Sequence, residues 1–391
     1  MGLVGALFLT GCEMGQWMGF SKPAPPVVDR NEAYVDARTA LFQLAQDKDP
    51  ATQANAIEAL STTLGSDVGE VYQQGLSDPS PLVRFASAMA IGDVKYEPAK
   101  QILQRMVKDR EDEPVRAEPD KRVFCALIYA LHELGDDSMT GQLAPLLYDS
   151  EPEVRSQAAM AMGKMGEPSA INPLKNVLVN EQNEAAKIQI TESLAVLGDS
   201  RSAEVLEAYT KGYFLDLRLA AIPAMANTRS PRAQRVLKEL TVAREPARVR
   251  VMAAGEMAKM GYADPAMFEY CVEALRNPEA TLKKSAKSSR RAADSDAGSL
   301  KQLAALAIGW YGSDEALAAL QPILRTGKGP VRVAAAASTL RIVKRSGPSA
   351  WPAMTPEVPQ SQAGPTTAPV GPTTSRVSVE KPEFRTAGGK D

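Results

Sequence analysis

One spacing constrains this chain more than any other property. Aligned on Arg155 within Glu151–Gly166, equivalent residues recur at Arg84, Phe124, Lys187, Arg218, Arg250, Lys301 and Arg332, with successive gaps of 40, 31, 32, 31, 32, 51 and 31 residues. A unit of 31 or 32 residues is too small to enclose a core. It buries its apolar face only against its neighbours, so the chain reads as a stacked array.

The residues from 166 to 198 show what each unit contains. Pro168 sits where a first helical turn needs no N–H donor. Ile171, Leu174, Val177 and Leu178 follow at helical spacing, Asn180 and Asn183 interrupt, and Ile188, Ile190, Leu194 and Leu197 mark a second helix that Gly198 stops. Alanines such as Ala158, Ala159 and Ala161 crowd the second helices, where small side chains permit close stacking. Extended along the chain, the pattern predicts helix pairs from 31–46 with 51–64 through 314–325 with 329–345. The expected fold is all-α: an α-solenoid of about nine helix pairs, curved and, at ~10 Å per pair, on the order of 90 Å long.

The motif D/E-P-x-V-R-x-x-A-x-x-A-L/M-G, read as S-E-P-E-V-R-S-Q-A-A-M-A-M-G from Ser150 and as G-P-V-R-V-A-A-A-A-S-T-L from Gly329, resembles the HEAT-repeat family. It includes the short bacterial form found in phycobilisome-lyase relatives. The resemblance spans roughly 31–345 and implies a fold far more strongly than a function. In HEAT arrays the basic residue at the reference position commonly pairs with acidic residues of the inter-helix turns. That implies a structural repeat ladder of Arg84, Arg155, Lys187, Arg218, Arg250, Lys301 and Arg332, with Asp78, Glu151, Glu184 and Glu245 as partners. A basic stripe free for an anionic ligand is the competing reading.

The formal net charge is −2 and aromatics make up 5% of the chain. Neither a basic field nor a stacking platform exists for nucleic acid, which is excluded as a partner. Residues 1–12 form a short apolar run ending in Leu9-Thr10-Gly11-Cys12, which resembles a bacterial lipobox. The resemblance implies a lipoprotein-type signal peptide, lipidation at Cys12 and anchoring in the bacterial cell envelope, inner or outer membrane unresolved. The basic residues usual ahead of the apolar run are missing; an ordinary N-terminal cysteine is the competing reading. Residues 13–30 hold Gly15, Gly19, Pro23, Pro25 and Pro26 and read as a flexible tether reaching about 20–25 Å. Residues 346–391 carry eight prolines among Ser, Thr and Gly and read as a disordered tail.

The long gaps mark insertions. The charged segment 109–120 is expected as a surface loop. The segment 283–299, with Lys283, Lys284, Lys287, Arg290 and Arg291, is expected as a solvated loop or a contact for an anionic partner.

Catalytic groups are sparse. His132 is the sole histidine. His132-Glu133 is similar to the dyads of HEAT-type deoxyhypusine hydroxylases, but Gly163-Lys164 and Ala195-Val196 occupy the equivalent positions, so no metal site is expected. Cys125 and Cys271 lie on apolar helices and read as buried thiols. The chain is therefore expected to be no enzyme, with no catalytic residue, metal or cofactor. In HEAT-type arrays the second helices line the concave side. There Gln157, Lys164, Gln189, Glu192, Glu256 and Lys259 are expected to be exposed and to bind a protein or peptide partner. The favoured function is a membrane-anchored scaffold; the alternative is a cytosolic accessory factor assisting cofactor attachment or assembly of a partner.

Overall fold

The structure, a computed structural model, describes residues 27–108, 118–288 and 296–345. Cys12, the tether up to residue 26, positions 109–117 and 289–295 and the tail from residue 346 lie outside the described residues. Every described regular element is helical. In chain order the pairs are α1 (Arg30–Leu44) and α2 (Pro50–Leu64), α3 (Gly69–Gly75) and α4 (Pro81–Val94), α5 (Lys100–Met106) and α6 (Lys121–Glu133), α7 (Leu143–Leu146) and α8 (Pro152–Met165), and α9 (Ile171–Asn180) and α10 (Glu184–Val196). They continue with α11 (Ser202–Thr210) and α12 (Leu215–Asn227), then α13 (Pro231–Glu239) and α14 (Ala247–Lys259). Next come α15 (Pro265–Arg276), an additional α16 (Pro278–Ser288) and α17 (Ala297–Ile308), and last α18 (Asp314–Thr326) and α19 (Gly329–Lys344).

Local chemistry places these boundaries. Asp49 caps α2 by accepting from the Thr52 amide, with Pro50 following at the first helical position. Asn183 caps α10 through the Ala186 amide. Gly166, at φ 76°, takes the left-handed conformation that ends α8.

The second helix of each pair packs on the second helix of the next: α2 on α4, α4 on α6, and so through α8, α10, α12, α14, α17 and α19. The array then closes. α19 packs on α2, and α1 lies along α19. Both surfaces of that seam are alanine-rich, with Ala33, Ala37 and Ala40 of α1 and Ala334–Ala337 of α19 all buried. One apolar core joins Leu41, Ile57 and Leu60 to Leu324, Val333 and Leu340. The array expected to run open for about 90 Å is thus a closed cycle of nine inner helices, with the first helices of the pairs outside. Rotation per repeat accumulates until the last unit meets the first.

Close approach between inner helices explains their small residues. A Cβ on Gly163 would stand 2.7 Å from Ser193 Cβ, and one on Gly309 would stand 2.5 Å from Ser338 Cβ. The segment expected as a loop at 283–299 is helical through Ser288 as α16. Thr281, Leu282 and Ser285 are buried, and Ser285 Oγ donates to the Glu245 carbonyl at 3.4 Å.

Candidate functional site: the inner wall of the ring

Inner helices run from one rim, where the turns within pairs lie, to the other, where pairs are joined. The chain enters through an outer helix and leaves through an inner one, so both ends reach the second rim. Arg30 pairs with Asp314 at 2.6 Å and Arg345 donates to the Trp310 carbonyl at 3.1 Å, so both ends meet the turn between α17 and α18.

The inner wall is polar. Lys164 Nζ reaches Asp93 Oδ1 at 2.6 Å across an intervening repeat and lies 4.9 Å above the Tyr129 ring. Tyr129 donates its hydroxyl to the same Asp93 oxygen at 2.7 Å. Glu58 is exposed, yet the protein mass around it desolvates its carboxyl and raises it above its ordinary range; Asp93 adds to the rise, and Lys164 and Lys259 oppose it. Glu58 on α2 thus lies within electrostatic range of groups on α4, α8 and α14, as expected if their side chains face the same space. On the far side Arg341 stacks over Trp310 at 4.1 Å. Burial and the neighbouring Arg345 hold its pKa down to about 10.

The six predicted partner-binding residues all lie on inner helices. They are less free than expected. Lys164 is held by Asp93; Glu192 accepts from Asn227 Nδ2 at 2.7 Å and Gln189 at 3.2 Å; Lys259 lies 3.3 Å from Glu256. Gln157, Gln189, Glu192 and Glu256 are half-buried, whereas Lys164 and Lys259 are exposed. Neighbouring packed helices stand about 8–10 Å apart, so a cycle of nine encloses a circle of roughly 25 Å between axes. Subtracting helix diameters of about 10–12 Å leaves a lumen on the order of 15 Å before polar side chains enter.

The ladder residues turn away from this space and tie repeats together. Arg155 grips Glu181 through two bonds of 2.6 Å and donates to the carbonyls of Asp149 and Ser150 at 2.7 and 3.1 Å. Arg84 repeats the pattern with Glu118 and the carbonyls of Asp78 and Pro79. Arg218 donates to Thr210 O at 2.7 Å and pairs with Glu245. Each of these three arginines takes one or two carbonyls from its own turn and a carboxylate from the following repeat's turn. Asp78 and Glu151, expected as carboxylate partners, do not serve as such: Asp78 offers its carbonyl, and Glu181 replaces Glu151. Lys187 keeps Glu184 at 2.7 Å. Arg250 donates to Thr241 O and lies 3.7 Å over Tyr270, Arg332 donates to Leu324 O, and Lys301 is half-buried.

A cleft of about 450 Å³ between α6–α7 and α8–α9 is lined by His132, Asp137, Met162 and Met165. His132 Nδ1 stands 2.5 Å from Asp137 Oδ1. The pairing spans the turn at Gly135, and an aspartate just past a helix-ending glycine is the sequence signal for it. Cys125 and Cys271 are buried free thiols, each pushed up to about 12 by burial.

The family profile for HEAT repeats matches residues 38–119 and 115–195, so this stretch of the chain carries HEAT repeats. It is 35% identical over 71 residues to the epoxyqueuosine reductase of Bacillus subtilis, a stretch that covers 18% of this chain and 18% of the reductase. Among solved structures, the CpcE–CpcF complex of phycocyanin lyase from Nostoc has a TM-score of 0.33 at 17% identity, covering 67% of this chain and 95% of that one. Human deoxyhypusine hydroxylase has a TM-score of 0.33 at 18% identity, with coverage of 73% and 99%. These comparisons correct one expectation. The 71-residue match to a reductase leaves the expectation that the chain is no enzyme without support, and it is withdrawn.

Proposed function

We propose that the protein is a membrane-anchored HEAT-repeat ring that engages a single segment of a partner protein on its inner wall. The observation that carries this is the wall itself: a closed cycle of helices presenting side chains of both signs to one space, among them Glu58, Asp93, Lys164, Glu192 and Lys259. A lumen on the order of 15 Å accommodates one helix or one extended strand, whose own diameter is about 10–12 Å or less, and excludes a folded domain. Mixed charge suits a polar peptide better than a polyanion.

The anchor rests on the Leu9-Thr10-Gly11-Cys12 sequence and on the chain's entry and exit at one rim, which leaves the opposite rim facing away from a bilayer. The test uses the full chain in its host. Labelling with an alkyne fatty acid and membrane fractionation should show acylation that Cys12→Ala abolishes. Photo-crosslinkers at Gln157 and Gln189 should capture one partner that a crosslinker at Gln234, on α13 outside, does not. Failure to label would leave the cytosolic accessory factor as the reading; equal crosslinking from Gln234 would overturn the inner-wall assignment.

A further inference from the structure

The rim opposite the chain ends carries apolar surface that the ring does not use. Tyr213 and Phe214, in the turn between α11 and α12, are 74% and 67% exposed and pack edge to face on each other at 5.7 Å between ring centres. On the two preceding repeats, at the corresponding ends of α7 and α9, Tyr148 is 64% and Val179 80% exposed. These side chains sit on one rim of three consecutive units and form an interrupted apolar strip along it. Aromatic residues dominate the energetics of protein interfaces, and the paired, exposed rings of Tyr213 and Phe214 are the anchor of this strip.

Charge identifies what the strip takes. Lys187 is paired with Glu184, Lys211 with Glu207 and Glu239, and Arg155 with Glu181. Exposed Glu151, Glu153 and Asp216 make no ion pair among the described residues; Lys121 and Arg122 lie in electrostatic range of Glu151 but are paired with Asp149 and Asp120, so the balance stays acidic. Acidic groups in first helical turns stabilise the helix dipole, and here they also set the sign of the strip. An anionic lipid surface would be repelled, and a second copy of the same face would oppose carboxylates to carboxylates.

We propose that this strip is a docking surface for a protein segment whose apolar side chains are flanked by lysine or arginine. The surface is separate from the inner wall and does not depend on the lipid anchor. The probe is a fluorescein-labelled amphipathic peptide of leucine and lysine, with a leucine–glutamate peptide of the same pattern as control. Fluorescence anisotropy with the full chain should show saturable binding of the cationic peptide only, weakening as salt is raised. Tyr213→Ser with Phe214→Ser should weaken it about tenfold or more, the loss expected when hot-spot aromatics are truncated. Glu151→Lys with Glu153→Lys and Asp216→Lys should abolish it and admit the anionic peptide. The aromatic variant should melt with wild type, because its residues are exposed, whereas the charge reversal removes first-turn carboxylates and should melt slightly lower with an unchanged circular-dichroism spectrum. Equal binding of the two peptides, unchanged affinity in both variants, adsorption to phosphatidylglycerol vesicles lost with the aromatics, or self-association lost with them would each overturn the proposal.

Discussion

The junction between α8 and α10 and the seam between α19 and the first pair do the same mechanical job with different chemistry. At the internal junction Gly163 lets α10 approach to contact, and the Arg155–Glu181 pair locks the two turns, the glutamate side chain being wholly buried. Glu181 also accepts from the Gln182 and Asn183 amides at 2.9 Å, so the lock is register-specific. At the seam, Arg332 reaches only its own turn, through Leu324 O, while Asp49 in the next turn is spent on capping Thr52. Closure rests on alanine stripes and on exposed pairs such as Arg30–Asp314 and Arg325–Glu32. Repeats consecutive in sequence are held by ionic geometry as well as burial, and the meeting of first and last by burial and shape.

Charges inserted into the two packed surfaces should separate them most. Ala159→Asp, in the internal stack, buries an unpaired carboxylate at a cost of several kcal/mol and should lower the melting temperature sharply in a single transition. Ala37→Asp, on the seam, should also cost several kcal/mol, but with ring opening seen as an increased radius of gyration in small-angle scattering. If Ala37→Asp stays as compact as wild type, the seam is not the weaker junction.

Removing the lock comes next. Arg155→Ala leaves Glu181 buried without its cation and should cost about 3–5 kcal/mol, whereas Arg332→Ala should cost about 1 kcal/mol. The hydrogen bonds from Arg155 hold the Glu181 pKa below its ordinary value. A carboxyl lowered on folding stabilises above its unfolded pKa, near 4.5, and loses that contribution as pH falls through the lower folded value. Wild type should therefore lose stability more steeply than Arg155→Ala on acidification below about pH 5. Parallel pH profiles from chemical denaturation would refute the lock.

A smaller effect tests packing. Gly163→Ala should cost about 1–3 kcal/mol by forcing α10 outward against Ser193, without changing the acid profile.

The smallest expected effects have opposite signs. Arg30→Ala at the seam should change stability by less than about 1 kcal/mol, because both partners are exposed. Glu58→Gln on the inner wall should stabilise slightly at neutral pH. A carboxyl raised on folding disfavours the folded state once pH exceeds its unfolded value, and the amide removes that penalty. A loss of stability at pH 7 in Glu58→Gln would mean that the Lys164 and Lys259 attractions outweigh the desolvation of Glu58.

Mixed pairing on the wall also changes what a charge reversal there can report. Lys164, Glu192 and Glu256 each have a neighbour to lose, so reversing all three should shift the melting curve as well as any partner binding.

The repeat period, the helix pairs and their ends were set by the sequence alone. Residues 51–64 were expected as a helix and lie within α2, because proline at the first helical position and a glycine at positive φ beyond the last act over one turn of chain. The helix α16 escaped because two of its three core-facing positions noted above are Thr281 and Ser285, which leave little hydrophobic period to read. The partners of Arg84 and Arg155 required the structure too, since Glu118 and Glu181 lie 34 and 26 residues away and only inter-repeat rotation brings them within reach. Ring closure was the furthest from view. It is the sum of small rotations at every junction, and no single residue encodes a sum. It brings Lys164 to Asp93 and Arg30 to Asp314, so the enclosed wall and the shared exit rim belong to the tertiary structure.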